Sequence, residues 1–297
     1  MLDSKGNIIY IGKSKCLKKR IKTYFTDNPR WEKVEKLVFF VDDIDFITTD
    51  THLEARLLEC ELIKRIKPGF NSQMKNDERY VYLKIESYNR LNSLSIVPDR
   101  EDYTYGPFRK KHTLSNTIDL LKCIFPIIHK NGSYELDYHI IPSVMDQDTF
   151  NENRKILIEV FSNMKNMKML IETLDNKMKE ASALYRYETA SRYRDIIQGL
   201  NYINNGIWQY KKLMSRDILL KIPTEQGFKL FFILNGSILL KKNYKSLSDE
   251  DIDSFLESAY SLKESASIEL DEKAGIDFRD IIYSEILSLP KDMVKYL

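Results

Sequence analysis

The chain has 297 residues, 43% of them hydrophobic and 30% charged, with only 10 Gly and 8 Pro, so it can bury a core and is neither collagenous nor disordered. Its 46 basic and 44 acidic side chains leave a net charge of +2, yet residues 1–25 carry seven cations against one anion, while residues 249–280 carry eleven acids against three bases. A polyanion such as nucleic acid would be drawn to the first segment and repelled by the second.

In chain order, the turn formers Asp3, Ser4 and Gly6 precede a short apolar strand, Asn7-Ile8-Ile9-Tyr10-Ile11-Gly12, expected as the second arm of a hairpin. From Ser14 the period becomes helical, with Leu17, Ile21 and Tyr24 on one side, and Asp27-Asn28-Pro29 ends the run. A second helix is expected over residues 30–38, and Asp45-Phe46-Ile47-Thr48 suits a strand. Thr51-His52-Leu53-Glu54 is a capping box opening a helix that runs to about Lys67, before Pro68-Gly69. Further on, a helix is expected over residues 113–124. Helical periodicity returns over residues 150–204 with a break at Tyr185 to Tyr187, so residues 174–203 read as a helical hairpin with Leu174, Met178, Ala181, Leu184, Ala190, Tyr193, Ile197 and Leu200 on its apolar side. Two apolar runs flank the hairpin signal Asn235-Gly236, and two helices, over residues 249–262 and 277–287, close the chain.

Three of the first 85 residues carry candidate chemistry. Glu59 lies within the apolar stripe of Ala55, Leu62, Ile63 and Ile66, and a carboxylate there needs compensation. Either a cation such as Arg20 pairs with it, or it is a ligand for a hard divalent cation, which favours oxygen donors and keeps most of its waters. Tyr10, beside Lys13 at a strand end, is either a packed strand tyrosine or a general base whose phenolate the ammonium favours. Arg20 shares a helix side with Cys16, Leu17 and Tyr24, and a guanidinium turned inward there can grip a phosphate in two places. Three widely spaced cysteines argue against a disulfide framework or a Cys-x-x-Cys metal site. No apolar run exceeds five residues, and the amino terminus shows no secretory pattern, so no membrane partner and a cytoplasmic location are expected.

The run Ile9-Tyr10-Ile11-Gly12-Lys13-Ser14-Lys15, followed by Leu17, Arg20 and Tyr24-Phe25, resembles the second half of the signature of the GIY-YIG nuclease family, in its UvrC-like branch. Glu54 to Lys64, Lys67-Pro68-Gly69-Phe70-Asn71, Asp77 to Tyr82 and Tyr105-Gly106-Pro107-Phe108 are similar to that branch in order and spacing over about 110 residues. The resemblance implies a Mg2+- or Mn2+-dependent phosphodiesterase acting on DNA. Tyr10 would activate the attacking water with Lys13 beside it, Arg20 and Tyr24 would hold the scissile phosphate, Glu59 would be the sole protein ligand of the metal, and Asn71 would order the site. Lys15, Lys18, Lys19 and Lys22 of the basic helix are the expected DNA contacts. Tyr187-Glu188-Thr189-Ala190-Ser191-Arg192-Tyr193-Arg194 resembles the UVR motif, which implies docking on a UvrB-like helicase subunit, with Tyr187, Glu188 and Arg194 as anchors.

The Gly-Ile-Tyr half of the signature has no counterpart in these residues, and the resemblance does not extend to a four-cysteine region, an RNase H-like nuclease or a helix-hairpin-helix module. One nick, and not two, is therefore expected. The competing reading is a non-catalytic adaptor that binds DNA or the helicase subunit. The expected fold is α+β, in four parts: a GIY-YIG-like domain over residues 1–85, a mainly helical connection over 86–172, the UVR-like hairpin over 173–204 and a mixed carboxy-terminal domain over 205–297.

Overall fold

The structure is a computed structural model that describes residues 1–25, 32–75, 79–89, 92–265 and 272–297. The fold is α+β, in two units: Met1–Asp77 with Lys212–Leu297, and Glu78–Lys211. Near the amino terminus the Asp3 carboxylate accepts the amides of Lys5 and Asn7, and Gly6 takes φ +77°, which turns the chain so that Leu2 bridges Ile8. Leu2 also bridges Asp43. Beyond these bridges, the strands expected at Asn7 to Gly12 and Asp45 to Thr48 do not form regular ladders among the described residues, since a ladder requires a hydrogen-bonded neighbour along its whole length.

Helix α1 (Leu17–Lys22) buries no residue, and α2 (Glu32–Phe40) buries Leu37. The Asp27-Asn28-Pro29 stop and the expected start of α2 at residue 30 lie outside the described residues. Half of the expected capping box forms: the Thr51 hydroxyl accepts the Glu54 amide and opens α3 (His52–Ile66), while the Glu54 carboxylate accepts from that hydroxyl and not from the Thr51 amide; Lys67 ends the helix in the left-handed region at φ 51°.

The second unit contains strands that the sequence reading missed. β1 (Val81–Ile85), β2 (Leu94–Val97) and β3 (Thr104–Phe108) form an antiparallel sheet in the order β2-β1-β3. The pairing of β1 with β2 and β3 sets the unit boundary near residue 77 instead of 85, and gives the supposedly helical connection a sheet. After α4 (Lys111–Leu121) come a short hairpin, β4 (Ile128–Lys130) and β5 (Ser133–Glu135), then α5 (Gln147–Ser162), α6 (Met164–Ala183) and α7 (Tyr187–Trp208). Leu83, Leu114, Phe150, Leu157, Leu174 and Ile196 belong to one core, so the α6–α7 hairpin is not a free-standing module. Its close approach to α4 depends on Gly199, where a Cβ would lie 2.3 Å from the Thr117 hydroxyl. Leu184, expected on the apolar side, is exposed beside Tyr185, which makes the interhelical turn at φ 59°.

The chain returns through α8 (Lys211–Ser215) to β6 (Ile218–Thr224), β7 (Gly227–Leu234) and β8 (Ser237–Tyr244), then α9 (Asp249–Ser265), α10 (Glu272–Ser288) and β9 (Val294–Tyr296). The sheet is antiparallel in the order β8-β7-β6-β9. Asn235 and Gly236, both at positive φ, make its β7–β8 turn as expected. Phe255 and Ala259 of α9 pack on Leu230, Phe232 and Leu234 of this sheet. Among the described residues no helix is long and apolar enough to cross a membrane.

Candidate active site

The segment from Ile9 to Lys13 is fixed by backbone and side-chain partners at each step. Ile9 donates its amide to Met1 and accepts from the Phe70 amide at 2.9 Å. Ile11 is gripped by one side chain: Asn71 Oδ1 accepts the Ile11 amide at 3.0 Å while Asn71 Nδ2 donates to the Ile11 carbonyl at 2.9 Å. The Asn71 carboxamide thus replaces a neighbouring strand at this residue, which is how it orders the segment. Next comes Gly12, over which the Tyr10 ring folds; a Cβ there would lie 2.9 Å from the Tyr10 hydroxyl and from Cε1.

Tyr10 meets Tyr24, two residues past the end of α1. The Tyr24 hydroxyl donates to the Tyr10 oxygen at 3.0 Å, with the rings edge to face at 5.8 Å. Burial first, and then the bond to Tyr10, push the Tyr24 phenol up to about 12, so it keeps its proton at neutral pH. Arg20 lies with its guanidinium 5.1 Å from the centre of the Tyr24 ring, a cation–π contact. The side chain is exposed by area, and its head nonetheless stacks on Tyr24 instead of lying free in solvent.

Glu59 has the partner it needs, and that partner is Lys13, not Arg20. Its Oε1 accepts the Lys13 amide at 2.9 Å, and Lys13 Nζ stands 3.9 Å from Oε2. Tyr10, Lys13, Arg20, Tyr24 and Glu59 line one groove of about 1450 Å³. Among the described residues there is no cluster of three or more His, Cys, Asp or Glu able to enclose an ion. One half-buried carboxylate with a second oxygen unclaimed by a backbone donor fits a hard cation that retains its water, as Mg2+ does, and does not fit a cation that needs an all-protein cage.

Of the four expected DNA contacts, Lys15, Lys18 and Lys22 line the same groove, whereas Lys19 is exposed away from it. Gln226, Asn243 and Lys245, from the carboxy-terminal sheet, line it too. No local pattern marks these three, because only the fold brings them beside residues far away in sequence. The remaining candidates belong to the other unit: Tyr187 and Glu188 are exposed at the start of α7, and Arg194 is exposed about two turns on, with its guanidinium held by Asp195 at 2.9 Å.

A known domain family, described as UvrC-like GIY-YIG domain, matches residues 1–72, and the UvrB/uvrC motif matches residues 168–203. The first 72 residues therefore belong to the UvrC-like GIY-YIG domain family. Most of the chain is similar to UvrABC system protein C from several bacteria. The protein of Acetivibrio thermocellus is 31% identical over 287 residues, covering 88% of this chain and 45% of that protein. That of Caldanaerobacter subterraneus is 31% identical over 314 residues, covering 95% and 50%, and that of a Cyanothece species is 36% identical over 260 residues, covering 80% and 41%. The chain spans about half the length of these curated relatives. No solved structure matches it.

Proposed function

We propose that the chain hydrolyses one phosphodiester bond of DNA with Mg2+ or Mn2+, as the nicking part of a UvrC-like excision repair nuclease. The observation that carries this reading is the single groove that holds Glu59 together with Tyr10, Arg20 and Tyr24. Arg20 grips the scissile phosphate, since its guanidinium lies over the Tyr24 ring and lines the groove. Tyr24 stays protonated and donates a hydrogen bond. Tyr10, held by Asn71 through Ile11 and by Gly12, receives the proton of the attacking water. Lys13 adds positive charge beside Glu59. A divalent cation bound at Glu59 supplies Lewis-acid neutralisation of the developing phosphate charge.

The partner of the α6–α7 hairpin in this reading is a UvrB-like helicase subunit. Support comes from the matched motif and from three apolar side chains exposed at the hairpin tip, Leu184, Tyr185 and Tyr187. The test is incision of a lesion-bearing duplex labelled on either strand, with the helicase subunit and Mg2+ or Mn2+ present. One cut in one strand is expected. Intact DNA with both metals, while the chain still binds the helicase subunit, would favour the adaptor reading.

A further inference from the structure

Four charged residues are buried among those described, namely Glu54, Lys229, Asp277 and Glu285, and all four sit in ion pairs that join α3 to the carboxy-terminal elements. Glu54 meets Lys229 of β7 at 2.7 Å and Lys241 of β8 at 2.8 Å. Lys229 also reaches Asp50, just before the helix, at 2.7 Å. On α10, Glu285 accepts from Arg56 at 3.0 Å, and Asp277 meets Lys64 at 2.8 Å.

Apolar residues of similar volume would join two elements at least as firmly as buried ion pairs, because desolvation offsets much of the Coulomb attraction. What buried pairs add is register, since each carboxylate must meet its own cation or be left uncompensated. Here the register is that of the helix bearing Glu59. At about 100° per residue, Glu54 and Lys64 lie about 140° from Glu59 on opposite sides, and Arg56 about 60° from it. The grips thus reach α3 from its back and flank, and the face carrying Glu59 is left toward Lys13 and the groove.

We propose that Glu54, Arg56 and Lys64 are positioning residues: through Lys229, Glu285 and Asp277 the carboxy-terminal elements fix the rotation and axial position of α3, and so place the Glu59 carboxylate at the Lys13 amide. The consequence for activity rests on the metal reading of Glu59; the placement itself does not. The full chain is studied as wild type, Arg56→Glu, Glu285→Arg and the exchanged pair Arg56→Glu/Glu285→Arg, with hydrogen exchange of the Lys13 amide measured without metal and Mn2+ binding measured by titration. Each single variant is expected to speed Lys13 exchange and to weaken Mn2+ binding about tenfold, and the exchanged pair to restore both. Lys64→Met, which keeps the volume and removes only the charge, should also speed Lys13 exchange, and it decides the matter if the reversals do not fold. Native Lys13 exchange in a folded Lys64→Met or single-reversal variant would overturn the proposal, as would an exchanged pair that folds without restoring it. Exchange that follows the swap while wild type binds no Mn2+ would uphold the positioning and sink the metal reading alone.

Discussion

The Lys13 amide donates to the Glu59 carboxylate at 2.9 Å, joining the residue just after Tyr10-Ile11-Gly12 to the middle of α3. One carboxylate oxygen thereby orients the other, and the segment bearing the proposed base is tied to the helix bearing the proposed metal ligand. The two halves of the chemistry depend on each other's position.

Gly12→Ala places a Cβ 2.9 Å from the Tyr10 hydroxyl, so the ring must move and the bond from Tyr24 is lost. Nicking should fall at least tenfold, about 1.4 kcal/mol of barrier. Tyrosine-selective NMR titration checks the geometry: the phenol that titrates at about 12 in wild type should titrate lower in the variant.

The same phenol sets an alkaline limit. A group whose folded pKa is raised contributes its stabilisation fully below its unfolded value and loses it as pH rises through the folded one. For Tyr24 that window opens at the ordinary phenol value of 10.0 and closes at about 12. Denaturant melts across this range should show wild type losing stability more steeply than Tyr24→Phe.

Asn71→Ala removes both hydrogen bonds to Ile11. At about 0.5–1.5 kcal/mol each, the loss of stability should be about 1–3 kcal/mol, with faster exchange of the Ile11 amide. Urea melts and hydrogen exchange measure the two effects.

DNA affinity should weaken steeply with salt, and neutralising Lys15, Lys18 and Lys22, which line the groove, should shallow the slope by about 2–3. Lys19→Ala, away from the groove, should change it less. Fluorescence anisotropy at several salt concentrations separates these outcomes.

Tyr187→Ala should weaken binding to the helicase subunit by about 2 kcal/mol, or about thirtyfold. Because Tyr187 is 63% exposed and outside the core, the melting temperature should not change. Calorimetric titration beside a thermal melt checks both.

What was legible in the sequence were features fixed by neighbours along the chain: the Thr51 cap, the Asn235-Gly236 turn and the long amphipathic helices. Tyr10, Arg20 and Glu59 stood out by their immediate surroundings, and the resemblance to the family signature joined them into one candidate site. The short strands β2 and β3 were missed because their evidence is their pairing with β1, not a pattern of their own. Glu59 showed that it needed a cation without showing which, since Lys13 is 46 residues away. The pairs that hold α3 span 175 residues (Glu54 to Lys229) to 229 residues (Arg56 to Glu285), and no local signal marks them.

The most direct measurement is nicking of closed-circular DNA by purified wild-type chain and by Glu59→Gln in Mg2+ or Mn2+, each folded by circular dichroism. The amide keeps nearly the volume of the carboxylate and is a poorer ligand for a hard cation. Metal-dependent nicking by wild type and none by Glu59→Gln is the predicted result; equal nicking by the two would contradict the account.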